Sequence, residues 1–174
     1  MTRTEENSGM PDSVFREILA EIRHFSAGAQ DLASLQEFCA GLIAARLPYY
    51  NWVGFYMLVP SDDTVLLLGP FHGAPTGHVR IPVTEGICGA AVAQEQTVIV
   101  DDVSADPRYL ACSLETKSEI VVPIRANGRV EGEIDIDSHD LAAFSSQDRE
   151  FLEECAAIIG SFMERAQTAL SGSK

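Results

Sequence analysis

Asn127-Gly128, set between two apolar runs, restricts the fold of this chain more than any other feature. A type I′ turn needs positive φ at both central residues, which Asn and Gly tolerate, so the pair marks a tight β-hairpin. Its arms are Ile120–Ile124 and Val130–Ile136. On the second arm Glu131, Glu133, Asp135 and Asp137 alternate with Val130, Gly132, Ile134 and Ile136, and a period of two puts the four acids on one face. Pattern alone favours a solvated face of an amphipathic strand; the alternative is a carboxylate cluster that receives a ligand ammonium group. With a strict two-residue loop, Ile120 pairs with Asp135 and Glu119 with Ile136, which sets Glu119 on the face opposite Asp135 and Asp137. A bulge reverses this, and Pro123 is a reasonable place for one.

Helical periodicity brackets this β region. Val14, Phe15, Ile18, Leu19, Ile22 and Phe25 recur at helical spacing behind Pro11, which suits a first turn, and Ser26 to Gly28 reads as the stop. Asp31 is an expected N-cap for a second helix carrying Leu32, Leu35, Phe38, Cys39, Leu42 and Ile43 inward, ended by Pro48. Strands are then expected over 52–59, 64–68, 79–81 and 97–100, with a short helix opening at Gly86 and a long connection over 101–117. Ser145 and Asp148 form a capping box for a last helix whose stripe includes Phe151, Cys155, Ile158 and Phe162. Two helices, a mostly antiparallel sheet and a closing helix make an α+β fold. The 174 residues suit one domain, over 11–170, behind a flexible tail at 1–10.

Charge and cysteine usage narrow the function. With 26 acidic and 12 basic side chains the net charge is −14, which disfavours nonspecific binding to nucleic acid or an anionic membrane. No apolar run approaches a membrane span and the polar start lacks a signal-peptide core, so a cytoplasmic location is expected. The four cysteines form no C-x-x-C pair, the histidines show no metal-ligand spacing, and neither a nucleotide-binding glycine loop nor a G-x-S-x-G elbow occurs. No metal site is expected. Cys39 and Cys155 lie on apolar helix stripes and read as core. Cys88, between Gly86 and Gly89 at a helix start, and Cys112, in a loop-like stretch with Arg108 and Lys117 nearby, are the candidates for a reactive thiol. Trp52 and Tyr56 share a strand face, either as core or as the aromatic wall of a pocket that holds a cation.

Several separate stretches resemble one family. Asn51-Trp52-Val53-Gly54-Phe55-Tyr56, Leu68-Gly69-Pro70-Phe71, Val79-Arg80-Ile81-Pro82, Gly86-Ile87-Cys88-Gly89, Ala111-Cys112, Ser118-Glu119-Ile120-Val121-Val122-Pro123 and Asp135-Ile136-Asp137-Ser138 look like the free methionine-(R)-sulfoxide reductases, which are single-domain GAF proteins. The likeness runs from about Asn51 to Phe162 with motif order kept. It implies a GAF-like six-stranded antiparallel sheet flanked by helices, and reduction of free methionine-(R)-sulfoxide to methionine. Thioredoxin is the implied reductant, with no other cofactor. Residue by residue, Cys112 matches the nucleophile, and Cys88 a second cysteine of varying role. Glu119, Asp135 and Asp137 match the carboxylates that bind substrate and assist proton transfer, and Trp52 and Tyr56 match the aromatic walls. The expected partners are the substrate, thioredoxin and a second copy of the chain in a homodimer.

One position departs from that pattern. His78 stands where members typically carry a third, resolving cysteine. Either Cys88 resolves the oxidised nucleophile, or thioredoxin reduces the sulfenic acid directly, or the site binds a ligand without turnover. The rival class is a GAF sensor whose pocket holds a small molecule, against which stands a length with no room for an output domain.

Overall fold

A computed structural model describes residues 12–111 and 113–171. The tail expected at 1–10, Pro11 and Cys112 lie outside the described residues. Helix α1 (Asp12–Gly28) and helix α2 (Leu32–Arg46) precede strands β1 (Trp52–Val59), β2 (Asp62–His72) and β3 (Arg80–Pro82). Helix α3 (Gly86–Gln94), β4 (Val98–Val100) and a 3₁₀ turn (Val103–Ala105) lead to β5 (Ser118–Ala126), β6 (Arg129–Ser138) and the long helix α4 (Ser146–Ser171). The strands form one antiparallel sheet in the order β3-β2-β1-β6-β5-β4. No helix among the described residues is long and apolar enough to cross a membrane.

The helix boundaries follow local chemistry. Asp31 caps α2 by accepting from the Ser34 amide at 2.8 Å, and the Ser34 side chain answers at the Asp31 amide, so one orphan donor at each position is satisfied. At the start of α4 the Ser145 amide and hydroxyl donate to Asp148 Oδ2, as the capping-box spacing implies. Asp148 does more than cap, because Tyr49 and Tyr50 both donate their hydroxyls to its Oδ1, at 2.5 and 2.8 Å. The turn into the first strand is thereby tied to the last helix.

Both faces of the central strands are covered, and the face under the three long helices carries most of the apolar core. Val53, Phe55, Ile120, Val122, Ile124, Ile134 and Ile136 point to the side where α1, α2 and α4 deliver Ile18, Ile22, Leu35, Ile43 and Ile159. Ring stacking of Phe15 on Phe151 at 4.6 Å and of Phe25 on Phe38 at 4.0 Å joins the helices to one another. Cys39 and Cys155 are fully buried in this layer, as core residues. The opposite face carries Trp52, Tyr56 and Val121 under α3, whose Ile87, Cys88 and Ala91 pack down on it.

Asn127 and Gly128 occupy the hairpin turn at φ 52° and 75°, as a type I′ turn requires. The register of the hairpin is not the strict one. Ala126 pairs with Arg129 and Arg125 with Val130, but Ile124 pairs with Gly132, leaving Glu131 as an extra residue on β6. The bulge lies there and not at Pro123. One extra residue exchanges the faces of everything beyond it, so Glu119 pairs with Asp137 and lies on the same face as Asp135 and Asp137.

Candidate functional site

Three strands bring the acids together. Asp137 faces Trp52 across β1 and Glu119 across β5; Asp135 faces Gly54 and Val121; Glu133 faces Tyr56 and Pro123. Side chains directly opposite in an antiparallel pair share a face, so Glu119, Glu133, Asp135, Asp137, Trp52 and Tyr56 line one patch under α3. The patch is not solvated. Glu133 is 0% exposed, Asp135 4%, and Glu119 and Asp137 5% each, which overturns the amphipathic-face reading. Only Glu131, displaced by the bulge, stays half-buried.

Four buried carboxyls without a cation are expensive in low dielectric. No described Lys or Arg makes an ion pair with any of them. Burial pushes all four up, Glu119, Glu133 and Asp135 well above the usual carboxylate range and Asp137 to about 7. Mutual repulsion adds to the rise at Glu119, Glu133 and Asp135. Asp135 Oδ1 and both oxygens of Glu133 have no hydrogen-bond partner. Burial and mutual repulsion therefore favour the protonated forms of these carboxyls, and the patch offers unused acceptors to a ligand.

Cys88 sits in the first turn of α3 with its Sγ 3.7 Å from Asp135 Oδ2. Its position at a helix start is as the sequence suggests, yet the expected stabilisation of the thiolate is not the net effect. Burial, and then the charges of Asp135, Glu133 and Glu119, push the thiol well above its ordinary value. Arg108 is likewise less available than its sequence position implies, because its guanidinium forks onto Asp106 at 3.0 and 2.6 Å.

The aromatic pair is fixed from outside the sheet. Trp52 stacks on Phe71 at 5.4 Å and donates its indole N–H to the Ala74 carbonyl at 3.0 Å. Tyr56 donates its hydroxyl to the His78 carbonyl at 2.8 Å. Gly54 is required between them, since a Cβ there would overlap the Trp52 ring. The His78 ring nitrogen Nε2 lies 3.2 Å from the Ala111 carbonyl, so the loop after β2 meets the loop before β5 over the patch. Beside Asp137 a cavity of about 120 Å³ opens between Trp52, Thr76, Ser113, Thr116 and His139.

All the described candidate residues converge: Cys88, Glu119, Asp135 and Asp137 by their charge interactions, and Trp52 and Tyr56 on the same sheet face. Glu133 was legible as one of the alternating acids but had no signal separating it from Glu131. Thr116 had none, because only the pairing of β5 with β6 brings its loop to Asp137, and His139, two residues beyond Asp137, carried no signal of its own.

Residues 11–161 match the GAF domain family. The free methionine-R-sulfoxide reductase of Escherichia coli is 41% identical over 126 residues, 72% of this chain and 73% of that protein. The Saccharomyces cerevisiae protein of the same name is 46% identical over 110 residues, 63% of this chain and 61% of its own length. Among solved structures, a free methionine-R-sulfoxide reductase from Neisseria meningitidis in complex with its substrate aligns with a TM-score of 0.86 at 35% identity. That alignment covers 97% of this chain and 99% of the other. Fold and similarity agree: this chain belongs to the GAF family, and within it to the free methionine-R-sulfoxide reductases.

Proposed function

We propose that this protein reduces free methionine-(R)-sulfoxide to methionine, with residues 11–170 working as one GAF domain. The buried carboxyl patch facing Trp52 and Tyr56 carries this reading. A patch that no described cation pairs with and that leaves acceptors unused suits a ligand that brings its own ammonium group. Ionised members hold the α-ammonium, which a methionine inside a peptide lacks. A protonated member, Glu119 in this reading, gives its proton to the sulfoxide oxygen. The aromatic walls enclose the methyl group and fix the handedness at sulfur.

Cys112 is the nucleophile. Its thiolate attacks the sulfoxide sulfur, the sulfoxide oxygen passes to Cys112 as a sulfenic acid, and the thioether leaves as methionine. A second thiol, that of Cys88, condenses with the sulfenic acid to a disulfide and water, and the dithiol of thioredoxin returns both cysteines to thiols. These steps need thiols and protons and no prosthetic group. A thioredoxin-coupled assay with the separated R and S epimers, and with the N-acetylated R epimer, tests the proposal. Turnover is expected on the free R epimer alone. Equal rates on the N-acetylated compound would remove the carboxyls from ammonium binding, and tight binding without any turnover would make this a ligand-binding GAF domain.

A further inference from the structure

Cys88 on α3, Glu119 on β5 and Asp135 on β6 place a sulfur and two carboxylate oxygens within 4.8 Å of one another, all buried. The Cys88 Sγ to Asp135 Oδ2 distance of 3.7 Å already matches the edge of a tetrahedral zinc site. Zn–S near 2.3 Å and Zn–O of 2.0–2.2 Å put those ligands about 3.5–3.7 Å apart. A Glu119 carboxylate oxygen, within 4.8 Å of the other two, supplies the third donor and leaves a fourth position open. A second, independent observation points to a ligand: Asp135 Oδ1 and both Glu133 oxygens are buried and have no hydrogen-bond partner among the described residues, and Glu133 acts on the same Cys88 thiol as Asp135 does.

The donor set selects the ion. One thiolate with two carboxylates suits a borderline cation, whereas magnesium and calcium call for oxygen donors throughout. A divalent ion also brings two positive charges into a pocket of four carboxyls that no described cation balances. Local spacing concealed the trio, whose members are separated by 31 and 16 positions in the sequence.

We propose that Cys88, Glu119 and Asp135 bind a divalent cation of the zinc type, in the space the substrate ammonium takes, so that metal and substrate exclude one another. The metal half rests on the three side chains alone; the exclusion half rests on the functional reading above. Cys88 binds as thiolate and Glu119 and Asp135 as carboxylates, and every proton these three groups hold beforehand is released to solvent. The bound ion blocks the pocket and ties up Cys88, which makes zinc a reversible brake on the reductase.

Cobalt(II) titrated into the reduced, metal-free full chain is the test, because a cobalt–thiolate bond gives a near-ultraviolet charge-transfer band. One equivalent is expected to saturate the band in the wild type, and zinc to erase it. Cys88→Ser is expected to abolish it, while the shape-conserving Glu119→Gln and Asp135→Asn, checked for folding by circular dichroism, weaken cobalt binding at least tenfold. A band retained in Cys88→Ser, lost only in Cys112→Ser, or unmoved by both carboxyl variants would overturn the site. Excess free methionine-(R)-sulfoxide is expected to bleach the band, and zinc to raise KM at constant kcat. A Cys88-dependent band insensitive to saturating substrate would overturn the exclusion. Such a band in a protein that reduces no sulfoxide would sink the functional reading and leave the metal site standing.

Discussion

Replacing Asp137 by Asn should make the fold more stable at alkaline pH and leave it unchanged at acid pH. Asp137 on β6 stands between Trp52 on β1 and Glu119 on β5, with Asp135 two residues along its own strand and His139 and Glu115 on the cavity rim. Burial raises its carboxyl from 3.8 to about 7 in the fold. The folded pKa lies above the unfolded one, so the fold is fully favoured while the carboxyl is protonated, and stability falls as pH rises through about 7. At about 1.4 kcal/mol per pH unit the full effect is about 4 kcal/mol, of which about 2.5 kcal/mol falls between roughly pH 5 and pH 8. For a chain of this length that is about 5–10 °C in Tm. Calorimetry of wild type and Asp137→Asn across this range measures it as the difference between the two curves. Because Glu119 and Asp135 are both raised by the Asp137 charge, the variant also relieves them and the gain errs on the large side. Parallel Tm curves for the two proteins would refute the argument that this carboxyl is held protonated by burial. The same substitution should weaken substrate binding, since the charge that destabilises the fold is the one that meets the ammonium group.

Asp148→Ala should cost about 3 kcal/mol, read as a denaturation midpoint, because it strands the buried Tyr50 hydroxyl and the half-buried Tyr49 hydroxyl along with the Ser145 donors. Gly54→Ala should push the Trp52 ring off its seat, since the new Cβ overlaps it. With Trp52 as the single tryptophan, an unchanged fluorescence spectrum would contradict this, and a loss of about tenfold in kcat/KM is expected. Cys112→Ser should abolish single-turnover methionine formation, while Cys39→Ser and Cys155→Ser, in the core on the far side of the sheet, leave it near wild type. One equivalent of sulfoxide without reductant should yield a Cys88–Cys112 disulfide, and Cys88→Ser a sulfenic acid trapped by a dimedone-type probe. Mass spectrometry that finds the sulfenic acid in wild type beside reduced Cys88 would remove Cys88 as resolver.

Features set by a few neighbouring residues were open to sequence reasoning. The Asn127-Gly128 turn, the Asp31 cap, the Ser145–Asp148 box and the limits of β1 each depend on dihedral preference or a side chain reaching a nearby amide. The face of Glu119 was not open, and the reason lies in β5 itself. Ile120, Val122 and Ile124 are apolar, but so is Val121, and Pro123 is not polar, so alternation does not say which set faces the helices. The bulge at Glu131 settles it by placing Ile120, Val122 and Ile124 beside Ile134 and Ile136 on the helix side. The strict register would turn all three away from that core, and burial of each is worth about 1.5–3 kcal/mol, far more than one unpaired bulge residue costs. That comparison involves three helices distant in sequence, which no local window contains.

Burial of the acid face has the same origin. The alternation of Glu133, Asp135 and Asp137 reads identically whether water or a helix lies over it. What covers it is α3, whose Ile87, Cys88 and Ala91 pack onto that face, while Gly89 lets the helix close on its own lead-in, since a Cβ there would stand 2.7 Å from the Val83 carbonyl oxygen. Apolar residues under α3 would avoid a desolvation penalty of several kcal/mol, so folding alone gives no reason for carboxyls there. A ligand that supplies the missing positive charge does give one. Its binding is strengthened by the very repulsion that weakens the empty fold, and this couples the stability effect expected for Asp137 to the affinity expected for the ammonium group.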